Sequence, residues 1–187
     1  HSYIIRPVYP SDPVCIRIDT PLSLARDATL EGWFTSIIDL ELVTGGLAVT
    51  TYPLEPPFRT LFGSPDKGLV CRFGNAAFEF QESAAKASIR GCQARVLHPV
   101  RLRNSSDDKI TVQDLVLYGE QLSAFWTGTH LQSETVAFTF GDSGVRMSVD
   151  SQGKRPADWT TLATPRVSSE ELALGRSIQL LKSITGM

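Results

Sequence analysis

The sequence predicts an all-β fold, an antiparallel β-sandwich arranged as two tandem Ig-like units with a short C-terminal helix. Three observations carry the prediction. Apolar residues recur at every second position in several short runs, the spacing that puts one face of a strand in a core and the other in water. Between those runs stand Gly, Asn, Asp and Ser, the residues of tight turns. Helical spacing replaces the period of two only at the end of the chain.

Along the chain, Val14, Ile16 and Ile18 form the first alternating run. Thr44-Gly45-Gly46-Leu47 joins two apolar runs through a glycine pair, which a tight hairpin accepts at positive φ. Leu54-Glu55-Pro56-Pro57-Phe58 is excluded from a central strand, because proline lacks the ladder's donor. Gly63-Ser64-Pro65-Asp66-Lys67-Gly68 is a rigid turn, followed by a strand through Leu69-Val70-Cys71-Arg72-Phe73. Small and polar residues from Ser83 to Gly91 mark a division, giving units at residues 1–85 and 86–187, with one single large sandwich as the alternative.

Val96, His98, Val100 and Leu102 alternate with Arg101 and Arg103, and the polar Asn104-Ser105-Ser106-Asp107-Asp108 loop follows. Val136, Phe138 and Phe140 lead into Gly141-Asp142-Ser143-Gly144, beyond which Val145, Met147 and Val149 alternate again. Strands this short and this regularly punctuated belong to sandwiches or barrels and not to a βαβ fold. Leu174, Ile178 and Leu181 then fall at i, i+4 and i+7. With Ser168 and Glu171 placed as a capping box, they predict a helix from about Ser169 to Ser183.

Composition narrows the function classes. The chain has 187 residues with 42% hydrophobic and 20% charged, enough to bury a core. A net charge of −2 argues against nucleic acid or an anionic membrane as a bulk electrostatic partner. No apolar run approaches the roughly 18 residues of a membrane span. Cys15, Cys71 and Cys92 are odd in number and widely spaced, which places the expected location in a reducing, cytoplasmic compartment.

Candidates for chemistry are few. Gly141-Asp142-Ser143-Gly144 resembles the nucleophile loop of chymotrypsin-like serine proteases, although Val145 stands where that pattern continues with glycine. A serine nucleophile there needs a histidine base and backbone donors for the oxyanion. His98 lies on an alternating strand and His130 is too close in sequence, so a hairpin loop is the preferred reading. Cys71, Cys92, His98 and His130 lack metal-ligand spacing. Phosphate-loop and dinucleotide motifs are missing, and no cofactor is expected. Trp33, Trp126, Trp159 and Tyr118 sit near predicted strand ends, as core closures or a stacking platform. Arg95, Arg101 and Arg103 share one strand face, solvated or able to receive an anion.

The segment Leu61-Phe62-Gly63-Ser64-Pro65-Asp66-Lys67-Gly68-Leu69-Val70-Cys71-Arg72-Phe73 is similar to a stretch of the uncharacterised, mainly archaeal domain-of-unknown-function family 432. Ile5-Arg6-Pro7-Val8 and Asn104 extend the resemblance, and Thr35-Ser36-Ile37-Ile38 departs from it. The resemblance implies no activity, but it marks Gly63, Gly68, Cys71 and Arg72 as candidate binding residues.

The function expected from the sequence is a non-catalytic cytoplasmic binding or protein-interaction module, its partner another protein or a further copy of the chain. The alternatives are a hydrolase using Ser143 or Cys71 and a carbohydrate-binding sandwich using Trp126 or Trp159.

Overall fold

Alternating runs become strands wherever one face finds apolar cover. The computed structural model describes residues 2–63, 68–89, 95–150 and 156–167. In chain order the first strands are β1 (Tyr3–Val8), β2 (Val14–Leu24), β3 (Thr29–Ile37), β4 (Asp39–Thr44), β5 (Leu47–Pro53), β6 (Arg59–Phe62) and β7 (Leu69–Ala76). A helix, α1 (Glu82–Ser88), follows. The remaining strands are β8 (Arg95–Asn104), β9 (Ile110–Leu117), β10 (Ala124–Trp126), β11 (Leu131–Gln132), β12 (Thr135–Gly141), β13 (Gly144–Asp150) and β14 (Thr160–Ala163). The protein is mostly β.

Three sheets result. One has the order β1-β4-β5, a second β6-β7-β2-β9, and the third runs β13-β12-β8-β11-β10-β14 with β3 also paired to β8. Most neighbours are antiparallel, but β2–β7, β8–β11 and β8–β12 are parallel, so the purely antiparallel expectation is corrected. Strand β8 shows why. It is long, with Val96, Leu97, His98, Val100, Leu102 and Asn104 all buried, and strands that return only after a crossover meet it in parallel.

Strands from the two sides of residue 85 share sheets: β2 pairs with β9, and β3 with β8 over nine residues. One apolar cluster likewise joins Ile16, Leu22 and Phe34 to Leu102, Leu115 and Phe138. The small, polar stretch from Ser83 onward lies in α1, where Ala85 and Ile89 pack on Leu97 and Trp33. Five alanine and serine positions in seven hid a docking face one residue wide. The helix expected over 169–183 lies outside the described residues.

The turns follow their chemistry. Gly45 and Gly46, at φ 57° and 81°, close the β4–β5 hairpin. Asp142 and Ser143 form the tip between Gly141 and Gly144, which are paired across β12 and β13.

Candidate functional site

Gly63 and Gly68 are the two ends of the predicted rigid turn. Gly63 sits at φ 99°, and a Cβ on it would stand 3.3 Å from the Gly68 Cα. Glycine is therefore required by the backbone's close approach there. The strand that follows, β7, delivers Cys71 and Arg72 inward, both buried.

Arg72 is buried. Its Nη1 donates to both carboxylate oxygens of Asp39, at 2.8 and 2.6 Å, and its Nη2 donates to the Glu55 carbonyl at 3.3 Å. Asp39 is itself buried. The Arg72 Nε has no hydrogen-bond partner among the described residues. Arg95 extends the network, donating from Nε and Nη2 to the Glu55 carboxylate and from Nη1 to the Asn75 carbonyl. Asp39 belongs to the β1-β4-β5 sheet, Arg72 to the β6-β7-β2-β9 sheet and Arg95 to β8, so these charges tie the three sheets together. The Arg72 guanidinium is thus paired with the Asp39 carboxylate.

Among the described residues no histidine is hydrogen-bonded to either proposed nucleophile. The Cys71 thiol packs with Cys15 and Val116, and burial pushes it up to about 11. Cys15 is pushed up to about 12, by burial first and then by Asp114. Thiols held protonated in this way are poor nucleophiles. Ser143 stands exposed on its hairpin tip, and the two histidines flanked by strands are engaged elsewhere. The His130 Nδ1 lies 2.8 Å from the Thr129 hydroxyl, and its Nε2 3.1 Å from Gln132 Oε1.

His98 forms a Ser–His arrangement that the sequence did not reveal. Its Nε2 lies 2.7 Å from Ser36 Oγ and its Nδ1 2.7 Å from Ser133 Oγ. Each serine hydroxyl also reaches a main-chain carbonyl, Ser133 that of Glu134 at 2.7 Å and Ser36 that of Ile37 at 3.4 Å, so both ring nitrogens are engaged. Phe34 and Tyr9 flank the ring, at centroid distances of 5.2 and 6.1 Å. All three polar residues are sealed from solvent, and burial alone lowers His98 to about 3. A base this weak, with no path for a substrate, is a hydrogen-bonded strut through the core.

A cleft of about 280 Å³ near Gly63 lies between β2, β6 and β9. Its cation, Arg17, is closed over by Asp114 at 2.9 Å and stacks on the Phe73 ring at 5.4 Å. Arg101 is similarly paired with Glu31 at 2.9 Å. Trp126 is 38% exposed, while Trp159 lies against Phe125, at a centroid distance of 6.2 Å. Among the described residues no group of three His, Cys, Asp or Glu is placed to hold a metal ion, and no helix is long and apolar enough to cross a membrane.

The β1-β4-β5 sheet is a further surface feature. Its registers place Tyr3, Thr44 and Leu47 in one row across the strands, Ile5, Leu42 and Thr50 in the next, and Pro7, Leu40 and Tyr52 in the third. These nine residues share one face and none is charged. Tyr3, Ile5, Leu47 and Tyr52 are 66%, 68%, 75% and 57% exposed. The opposite face carries Arg6, Asp39 and Glu41, of which the two carboxylates are buried. An apolar face left in water at this scale marks an interaction surface more often than chance.

The family model for a protein of unknown function, DUF432, matches residues 1–182. The chain belongs to this family. No curated protein and no solved structure matches it.

In this DUF432 chain the resembling segment accordingly holds a turn, a core thiol and a buried ion pair. The sequence missed Asp39 and Ser36, which supply the partners of Arg72 and His98. The available signal was phase: Ser36 and His98 both fall in step with apolar core residues, and a polar residue so placed must find a polar partner.

Proposed function

We propose that this DUF432 chain is a non-catalytic protein-interaction module that presents the open face of β1, β4 and β5. The observation that carries the reading is the uncharged face on which Tyr3, Ile5, Leu47 and Tyr52 stand in solvent. The sealing of His98 and the protonated, buried Cys71 support it against a hydrolase. A β-sandwich architecture belongs to the same proposal, as one unit: residues of β2 and β9 share a cluster with residues of β3, β8 and β12. A cytoplasmic setting accords with the free thiols of Cys15 and Cys71.

Tyrosine nitration in dilute solution tests the reading, with modified positions located by peptide mass spectrometry. Tyr3 and Tyr52 should react at close to the rate of a free tyrosine, and the buried Tyr9 far more slowly. If Tyr3 and Tyr52 are as protected as Tyr9 in the isolated chain, the face is covered by the chain itself and the reading falls.

A further inference from the structure

We infer that the cleft between β2, β6 and β9 binds a neutral, polyhydroxylated small molecule of the size of a monosaccharide. This site lies on the β6-β7-β2-β9 sheet and stands apart from the β1-β4-β5 face of the interaction-module reading. Its shape, its interrupted ladder, its charge and the placing of its polar groups all lead to that ligand class.

Strands β6 and β9 are the two edges of their sheet. Even so, Thr60 and Phe62 of β6 line one cavity with Thr111, Gln113 and Asp114 of β9. The sheet must therefore curl until its edges face each other across β2. A trough of this kind is like the mouth of a small barrel, a common place for a small ligand.

The ladder in its wall is interrupted. Arg17 of β2 stands opposite Asp114 of β9, but the next registered pair is Leu22 with Val112. Four residues of β2 thus run past Gln113 alone. Bulges re-aim side chains and are over-represented beside active sites. Here the exposed Gln113 is set on the cavity next to Asp114.

Arg17 and Asp114 are the only charged residues among the described ones lining the cleft. They are bound to each other twice, Arg17 Nε donating to Oδ1 at 2.9 Å and Nη2 to Oδ2 at 3.3 Å. A charged ligand is matched only by breaking this bidentate pair. A hydroxyl is matched without breaking it, because one oxygen both accepts from a guanidinium and donates to a carboxylate.

Thr60, Thr111 and Gln113 can likewise both donate and accept, and with the ion pair they come from three strands around the cavity. Leu61 and Phe62 supply an apolar wall. A flat heteroaromatic ring carries polar atoms along one or two edges only. A sugar ring carries hydroxyls around its rim and C–H groups on its faces, which suits polar groups on several sides and an apolar wall. At about 280 Å³ the cleft stands at the lower end of ligand pockets, which run roughly from 300 to 1,000 Å³, so it takes one ring and not a chain of them.

The test is titration of the isotopically labelled full chain with glucose, galactose and mannose in turn, followed by amide resonances, with glucuronate as the anionic counterpart. The expected result is saturable, millimolar binding of at least one neutral sugar that shifts the amides of Thr60, Gln113 and Asp114, with glucuronate weaker. Gln113→Ala, a change at an exposed side chain, should weaken that binding about three- to tenfold, the worth of one hydrogen bond. Asp114→Asn releases Arg17 and should reverse the order, so that glucuronate binds more tightly than the neutral sugar. Arg101→Ala, away from the cleft, should change neither. No shift at the cleft with any of the neutral sugars overturns the inference. Tighter binding of glucuronate than of every neutral sugar by the parent chain also overturns it, because the ion pair is then open to an anion. Sugar binding left unaltered by both Gln113→Ala and Asp114→Asn overturns it as well, since the contact then lies elsewhere.

Discussion

The interior around β8 and the open face of β1-β4-β5 invert the usual distribution of side chains. Inside stand Asp39, Arg72, His98, Ser36, Ser133 and Asn104, all buried and polar; outside stand Tyr3, Ile5, Leu47 and Tyr52. Each of these side chains has a specific partner, although the Arg72 Nε is left without one. Asn104 shows the rule at its fullest: its amide donates to the Leu24, Ala25 and Asp108 carbonyls, while its oxygen accepts from Ser106. The exposed apolar groups have no partner of comparable kind. In this fold buried polar groups hold the sheets together, and several large apolar side chains stand in solvent.

The largest effect that sharpens the contrast is expected at Asp39. Asp39→Ala leaves Arg72 charged and buried without its counter-ion, a loss of about 3–5 kcal/mol. Urea denaturation measures it. Replacing both partners, Asp39→Leu with Arg72→Met, should recover most of that loss, because no buried charge is then left unpaired and the Arg72 Nε is unsatisfied already. A single-substitution cost below about 1 kcal/mol would show that the pair is not buried in the working protein, and the contrast would fail at its interior end.

His98 gives the next effect, read in pH. The folded value is about 3 because of burial, whereas an unfolded chain titrates near 6.5. Between those values the unfolded state binds a proton that the folded state does not. Stability therefore falls as pH drops through that window, by up to about 1.4 kcal/mol per unit, and the contribution vanishes above the unfolded value. His98→Gln should flatten this part of the stability profile relative to the parent, whatever its cost at neutral pH. Superimposable slopes for parent and variant would mean that His98 is protonated in the fold.

How far each region was legible follows from the same contrast. Period two identified β8, β12 and the hairpin at Asp142-Ser143, because every second residue there meets the core. It identified β1 and β5 poorly, since Leu47-Ala48-Val49-Thr50-Thr51-Tyr52 is apolar or β-branched on both faces and gives no alternation to read. The marks on Gly63, Gly68, Cys71 and Arg72 found positions the backbone and core require, but spacing alone did not distinguish an inward arginine from a ligand-binding one. That distinction rests on Asp39, thirty-three positions away in sequence. The pairing of β2 with β9 and of β3 with β8 was likewise invisible, since contacts across sixty to a hundred residues leave no local pattern.

The smallest expected effect is the sharpest test of the outer face, because it pairs neighbours. Leu47 stands on the open side of its hairpin, and Val43, only four residues earlier, is buried on the other side. In dilute solution, where any association is absent, Leu47→Lys should change unfolding free energy by less than about 0.5 kcal/mol, since no buried area is lost and the ammonium stays hydrated. Val43→Lys carries the same change of chemistry into a site without a counter-charge, and should cost several times more, of order 2 kcal/mol or above. Equal costs at the two positions would mean that both faces are interior, and the open face would then be part of the core. A gap of the expected size leaves the Leu47 side chain with no structural role in the monomer, so that whatever keeps it apolar acts between molecules.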